Sequence, residues 1–596
     1  MFQGTGTTTT GTGGAGGSGG QSGAATRVDL LLAVDNSRSM ADKQEILGLA
    51  VPTLVESLVN PRCLDADGVP AASQPSGAGQ ACTPGTHRQF APVTDLHVGV
   101  LSTSLGGHGA NICEGSVDPS ENDQGHLLSR DDQGGSVATY ESLGFLAWDP
   151  DQVLSPPGES DPGALSEDLA SMVRGVGQVG CGFEATLESW YRFLVEPNPH
   201  SSISIDAQNN AVLVGTDYTV LDQRRAFLRP DSALAILMLS DENDCSLRDG
   251  SQYYFAAQLQ VNGSAYHLPK PRAACAVDPN DPCCRSCGQP AGAGCSTAAD
   301  DCNSGPLEAL DDHVNLRCFD QKARFGIDFL YPIDRYVTGL TAAIVPDRQG
   351  NLVPNPLFTN LDPTDPDATV RTAALVFLGS ISGVPWQDIA RRDAGGLPDL
   401  ATGHDAKGAP VGGFKSAAEL VATGAWDLIL GTPEYYHTSP NALPDDPLMR
   451  ESIAPRSGAN PVTGDLVAPP SAGPMANPIN GHEYTVAGNG DLQYACIFPL
   501  PTPRDCSQPG QVACDCDQPG SNNPLCQEAN GSYGTTQFRA KAYPGIRQLS
   551  LLKALGNHGV VGSICPPQLT VEAELDYGYV PTVRTLVEAM APQLAK

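Results

Sequence analysis

Residues 28–34 read Val-Asp-Leu-Leu-Leu-Ala-Val, a short and nearly continuous apolar run. A strand of that composition is buried on both faces, as at the centre of a parallel sheet covered by helices on each side. The run stops at Asp35-Asn36-Ser37-Arg38-Ser39-Met40. Residues 41–59 then place Ile46, Leu47, Leu54, Val55 and Leu58 at helical spacing, with Pro52 expected to kink the helix. Further buried-strand candidates lie at 96–101, 234–239, 373–378 and 559–564, with a weaker edge candidate at 143–148. Helices are expected at 165–176, 185–194, 325–341, 546–555 and 580–594. Strands alternating with helices, without a long all-β section, predict an α/β fold: a doubly wound, mostly parallel sheet flanked by helices in three layers.

The connections are far longer than such a sheet requires. Residues 61–92, 246–318 and 384–543 are rich in Pro, Gly, Asp, Asn and Cys. They read as stapled insertions into one elaborated domain spanning 27–596, with small separate domains as the alternative. The chain holds 65 glycines and 50 prolines, whose excess falls in these insertions and in residues 1–26. That first stretch is expected to be a disordered Gly/Thr-rich tether, because almost nothing in it can be buried to offset the entropy of ordering. Its start, Met1-Phe2-Gln3 followed by Gly/Thr repeats, lacks a charged and then apolar leader and reads as a chain whose leader was trimmed or missed.

Eighteen cysteines, an even number and mostly loop-borne, point to disulfides and therefore to an exported protein. Zinc is the alternative: Cys284-Arg-Ser-Cys287 is a C-x2-C pair, but no matching C-x2-C or H-x3-H follows it. A formal charge of −33 argues against nucleic acid, which calls for a basic stripe, and against docking on anionic lipid. No apolar run approaches the ~20 residues that span a bilayer. Residues 408–416 nearly copy a phosphate loop, but Phe414 intrudes between Gly413 and Lys415. The eleven histidines show no ligand spacing.

In a doubly wound sheet, ligands bind at the carboxyl ends of strands. Asp35, Ser37 and Ser39 offer one carboxylate and two hydroxyls spaced two apart, hard oxygen ligands for a small divalent cation. A second acidic turn is needed opposite, and the strand at 235–239 ends in Ser240-Asp241-Glu242-Asn243-Asp244-Cys245. The pair of Asp-x-Ser-x-Ser and a later Ser-Asp resembles the metal-ion-dependent adhesion site of von Willebrand factor type A domains. The resemblance implies Asp35, Ser37, Ser39 and Asp241 as metal residues and Mg2+ as the ion, with Ca2+ or Mn2+ as alternatives. The family's threonine ligand has no hydroxyl-bearing counterpart at Cys181 or Gly182, so Glu184, or Thr186 in a shifted loop, would replace it. An added carboxylate would favour calcium over magnesium. Cys181 and Cys245 would then lie on neighbouring metal loops, and a disulfide between them is expected.

The family's mode of action implies an exported, non-enzymatic binding or adhesion protein whose ion keeps a coordination position open for an acidic side chain of a protein partner. Gly/Thr/Ser tethers commonly follow the lipidated cysteine of bacterial lipoproteins, so the expected location is the cell surface, as an outer-membrane lipoprotein, or the periplasm or exterior. A structural envelope protein is the alternative. A metal-dependent hydrolase is disfavoured because no positioned base accompanies the motif. The sequence carries no signal for oligomeric state.

Overall fold

Six strands form the central sheet: β1 (Arg27–Val34), β2 (Asp95–Ser102), β3 (Phe145–Trp148), β4 (Ala233–Leu239), β5 (Val376–Ser382) and β6 (Gly559–Ser563). This is a computed structural model describing residues 25–113, 122–362, 364, 369–431, 443–508, 513–518 and 520–595, so all but the last two residues of the expected tether lie outside the described residues. The strand order is β6-β5-β4-β1-β2-β3. All neighbours run parallel except β3, which pairs antiparallel at the edge beside β2.

The two faces of β1 explain its unbroken apolar run. Val28, Leu30, Leu32 and Val34 enter a core shared with α1 (Ala41–Val59), α2 (Pro162–Gly175) and, as numbered below, the C-terminal helix. Leu31 and Ala33 enter a second core with α3 (Thr186–Leu194), α4 (Tyr218–Phe227), α5 (Ile333–Thr341) and α6 (Ile546–Leu555). The C-terminal helix is α7 (Val580–Leu594). Each fully buried leucine contributes roughly 1.5–3 kcal/mol over an exposed one. A mostly parallel α/β sheet with helices on both faces is thus present.

Some element boundaries differ from expectation. The helix expected over 325–341 is two helices, because Gly326 at φ 72° caps Gln321–Phe325 and Pro332 precedes α5. The strand expected from 373 begins at Val376, which is where pairing with Leu234 starts. Helix α1 runs from Ala41 to Val59 with Pro52 inside it. Helix α4 was not anticipated, although Asp217 caps it by accepting from the Val220 N–H.

The 384–543 stretch packs on the sheet's own core. Its antiparallel ribbon, Cys496–Asp505 with Thr536–Ala542, places Phe498, Leu500, Ala540 and Ala542 in the cluster that holds β1 and α1. Pro499, Pro501 and Pro503 disguise the first strand in sequence, and the ribbon's register shifts between Pro499 and Arg504. All eighteen cysteines pair, in nine disulfides, of which Cys496–Cys565 ties this ribbon to the residues after β6. No helix among the described residues is long and apolar enough to cross a membrane.

At the amino end of β1, Asp29 is fully buried and is met by Arg229, Arg371 and the Ser232 hydroxyl. Burial pushes its carboxyl upward, but the two guanidiniums win and hold it below its ordinary value.

At the other end of the sheet, the ribbon re-enters at Tyr543, whose N–H donates to the Asp241 carbonyl at 2.8 Å. A Cβ on Gly383 would lie 1.6 Å from the Tyr543 carbonyl oxygen. Gly383→Ala is therefore expected to lower stability by roughly 1–3 kcal/mol or more, seen as a lower urea midpoint with the slope unchanged. An unchanged midpoint would show that this backbone contact does not constrain the carboxyl end of the sheet.

Candidate metal centre

Register brings the candidate residues together. Val34 pairs with Ser102 on one side and Leu239 on the other, and Leu239 pairs with Ile381. The strands therefore end level, and Asp35 and Ser240–Asp241 emerge side by side. The Asp35 N–H donates to the Leu239 carbonyl at 2.9 Å. Its carboxylate is fixed by the Ser37 N–H on Oδ1 and the Ser240 hydroxyl on Oδ2, both at 2.7 Å. Gln44 Nε2, one turn into α1, donates to the Asp35 and Gly177 carbonyls at 2.8 and 2.7 Å. The Ser37 and Ser39 hydroxyls lie 3.4 Å apart and are half-buried.

Asp241 is fully buried. Neither of its carboxylate oxygens has a hydrogen-bond partner; Oδ2 forms an ion pair with Lys43 Nζ at 2.9 Å, and Oδ1 has no partner at all. Burial, then the nearby Asp241 charge, pushes the Asp35 carboxyl up to about 6 against the hydrogen bonds from Ser240 and Ser37. Glu184 is pushed up to about 8, first by burial and then by Asp35. Glu242 is raised well above its ordinary range by burial and then by Glu184. These acids sense one another across a single crest.

Glu184 sits in the loop just before α3. Gly182 takes φ +97° there, and a Cβ on it would lie 2.3 Å from the Gly106 carbonyl oxygen, so no side chain fits. The loop lies beside the Asp241 turn, with the Cys245 N–H donating to the Glu184 carbonyl at 2.9 Å. Adjacent backbones do not join the two thiols, however. Cys181 pairs with Cys113 and Cys245 with Cys318, so the expected Cys181–Cys245 bridge is corrected. Each thiol meets a cysteine of a long excursion, at Cα separations of 5.6 and 5.7 Å, and each loop is stapled outward.

Ser37, Ser39, Glu184 and Glu242 line one cavity of about 440 Å3. Its other walls come from the long stretches between strands, including Leu316, Glu451, Asp491, Asp515, Lys541 and Tyr543. Glu451 is buried and hydrogen-bonded by Asn243, and burial pushes it up to about 8. Lys541 Nζ is held by Asp515 at 2.9 Å and by the Tyr543 hydroxyl at 2.7 Å. Thr186 begins α3 with its hydroxyl buried and is not among the cavity's lining residues.

Among the described residues, no three His, Cys, Asp or Glu side chains close on one point as a metal group. An ion here would depend on the serine hydroxyls together with Asp35 and Asp241, a set with the hard-oxygen chemistry of Mg2+ or Ca2+. The orphaned Asp241 Oδ1 fits such an ion. Sequence reasoning missed Lys43, Glu451 and Lys541 as parts of this crest. Only Lys43 left a trace, its place four residues after Ser39, which puts it over the same helical turn.

The signs of the shifts give a pH window. Asp35 and Glu184 both titrate higher in the fold than in the open chain, so stability complete at low pH is lost as pH rises through about 6 and then about 8. In chelator, the wild-type melting temperature should fall between pH 5 and pH 8.5 more steeply than that of an Asp35→Asn/Glu184→Gln double variant. Parallel profiles would show that these carboxyls are not in conflict. No family model, curated protein or solved structure compared with the chain matches it.

Proposed function

We propose that this chain is an exported, non-enzymatic binding protein of the von Willebrand factor type A kind, which engages a protein partner through a divalent cation. The reading is carried by one observation: a fully buried aspartate, Asp241, has a carboxylate oxygen without a partner, beside Asp35 and the two hydroxyls of Ser37 and Ser39. An unsatisfied buried acceptor costs about 1–3 kcal/mol, and a cation removes that cost. The six-stranded, mostly parallel sheet supplies the frame this reading requires.

Asp35, Ser37 and Ser39 would hold the ion from one side, with Asp241 opposite and Glu184 in the place of the family's threonine. The bound ion supplies an open coordination position for a carboxylate of the partner. Glu451, whose carboxyl burial pushes up to about 8, opposes such a carboxylate less than its formal charge suggests. The nine disulfides support an oxidising compartment, with the periplasm, exterior or a lipoprotein-anchored surface as the proposed locations.

A second reading draws on the covered crest. Walls contributed by the insertions would suit a structural envelope protein in which the ion only stabilises the fold.

The Ser37→Ala/Ser39→Ala double variant separates site from fold, because it leaves the Asp241–Lys43 ion pair in place. Titration calorimetry with Mg2+, Mn2+ and Ca2+ should show affinity reduced at least ~10-fold, which is about 1.4 kcal/mol. Its melting temperature in chelator should stay near that of the wild type. A short peptide with a single glutamate should tighten the wild type's ion affinity if the ion recruits a partner. Ion binding that raises the melting temperature yet ignores the peptide would favour the structural reading. Undiminished ion binding by the double variant would overturn both.

A further inference from the structure

Among the described residues, the one ion pair made to Asp35 or Asp241 comes from Lys43. Its side chain is 1% exposed, and the Asp241 side chain is wholly buried. Nζ lies 2.9 Å from Asp241 Oδ2, donates to the Ser39 carbonyl at 2.7 Å, and stands 3.6 Å from Asp42 Oδ2. The ammonium thus joins the two halves of the candidate centre, the turn that carries the serines and the turn that carries the second aspartate.

Lys43 is also sealed in position by the ribbon. Arg504 from the ribbon donates to Asp42 Oδ1 at 3.2 Å, and the Phe498 ring centre lies 6.0 Å from Lys43 Nζ. A lysine so enclosed cannot trade its partners for water without moving the ribbon.

We propose that Lys43 is a tethered counter-cation of the metal site: it neutralises Asp241 when no ion is bound, lowers the site's affinity for a divalent cation, and leaves more of that cation's charge for an anionic ligand. This inference rests on the reading that the Asp35–Asp241 crest binds such a cation. Without Lys43, the Asp35 and Asp241 carboxylates would hold an ion tightly and offset nearly all of its charge before Glu184 contributes. With Lys43 on Oδ2, the ion finds Oδ1 of Asp241 and the Asp35 carboxylate, with one negative charge already matched. Lys43 touches neither the ion's hydroxyl ligands nor a partner, so it is a positioning residue.

A lysine that merely fills space would alter melting but not the affinity for ions. Lys43→Met keeps the volume without the charge, and Lys43→Arg keeps the charge. Calorimetry with Mn2+ and melting curves in chelator and in saturating Mn2+ read both effects. Lys43→Met should melt lower in chelator, bind Mn2+ at least ~10-fold tighter and gain more melting temperature from the ion than the wild type does. Lys43→Arg should bind like the wild type.

Wild-type binding with unchanged or weaker affinity in Lys43→Met overturns this inference and leaves the metal reading standing. Binding by Lys43→Met when the wild type binds nothing supports the inference in its extreme form. Binding by neither protein overturns both. Should Lys43→Met not fold in chelator, Lys43→Gln carries the same test. Rescue of either variant by Mn2+ supports the inference, and failure to fold even in Mn2+ overturns it.

Discussion

Two aspartates buried side by side, Asp35 and Asp241, are the constraint around which the carboxyl end of this sheet is arranged. The contrast with the opposite end of β1 shows how unusual that arrangement is. There Asp29 is met by two guanidiniums and a hydroxyl. At the carboxyl end, two carboxylates are met by one ammonium, and burial together with mutual repulsion pushes Asp35 up to about 6. A buried charge without a partner is among the costliest features a core can hold. The shortage of positive charge sits where the carboxyl ends of the five parallel strands come level, and at that level the chain presents two serine hydroxyls. Fold geometry and charge deficit point to the same atoms.

The insertions are part of this arrangement. The 384–543 stretch returns past Gly383 and donates a backbone hydrogen bond to the Asp241 carbonyl. Its ribbon encloses Lys43 through Phe498 and the Arg504–Asp42 pair. Cys181 and Cys245, on the two loops beside the crest, are each tied to cysteines outside the sheet. The two loops meet directly, through the Cys245 N–H on the Glu184 carbonyl, and each is also braced from outside by its own disulfide.

The frame of the fold was legible because parallel strands leave a strong trace. Buried on both faces, β1 must be apolar at successive positions, and the same logic located β2, β4 and β6. The Asp35, Ser37, Ser39 and Asp241 positions followed from what comes directly after those strands. The rest depended on contacts between residues far apart in the chain. Three prolines hid a strand that the core accepts because its apolar residues Phe498 and Leu500 still face inward. Lys43, in the first turn of a helix, carries no local sign of burial, and the ribbon that packs over it lies more than 450 residues later. Disulfide pairing failed for a related reason. Cys181 and Cys245 do lie on adjacent loops, but adjacency of backbones does not aim two side chains at each other.

These relations alter what a metal site of this kind would recognise. A bare ion at an exposed sheet edge selects for one carboxylate and little else, since most of the surrounding surface is water. Here the approach to Ser37 and Ser39 passes walls that carry Glu184, Glu242, Glu451 and Asp491. Any group that reaches the crest must be narrow enough to enter about 440 Å3 and must tolerate an acidic rim. An anion would be drawn in only by a cation whose charge is not already spent on the protein's own carboxylates. That requirement links the shape of the cavity to the lysine beneath it. On the proposed reading, the insertions would narrow the range of ligands by excluding bulk, and Lys43, by occupying one oxygen of Asp241, would leave a bound ion the surplus charge with which an acidic ligand could be held at all.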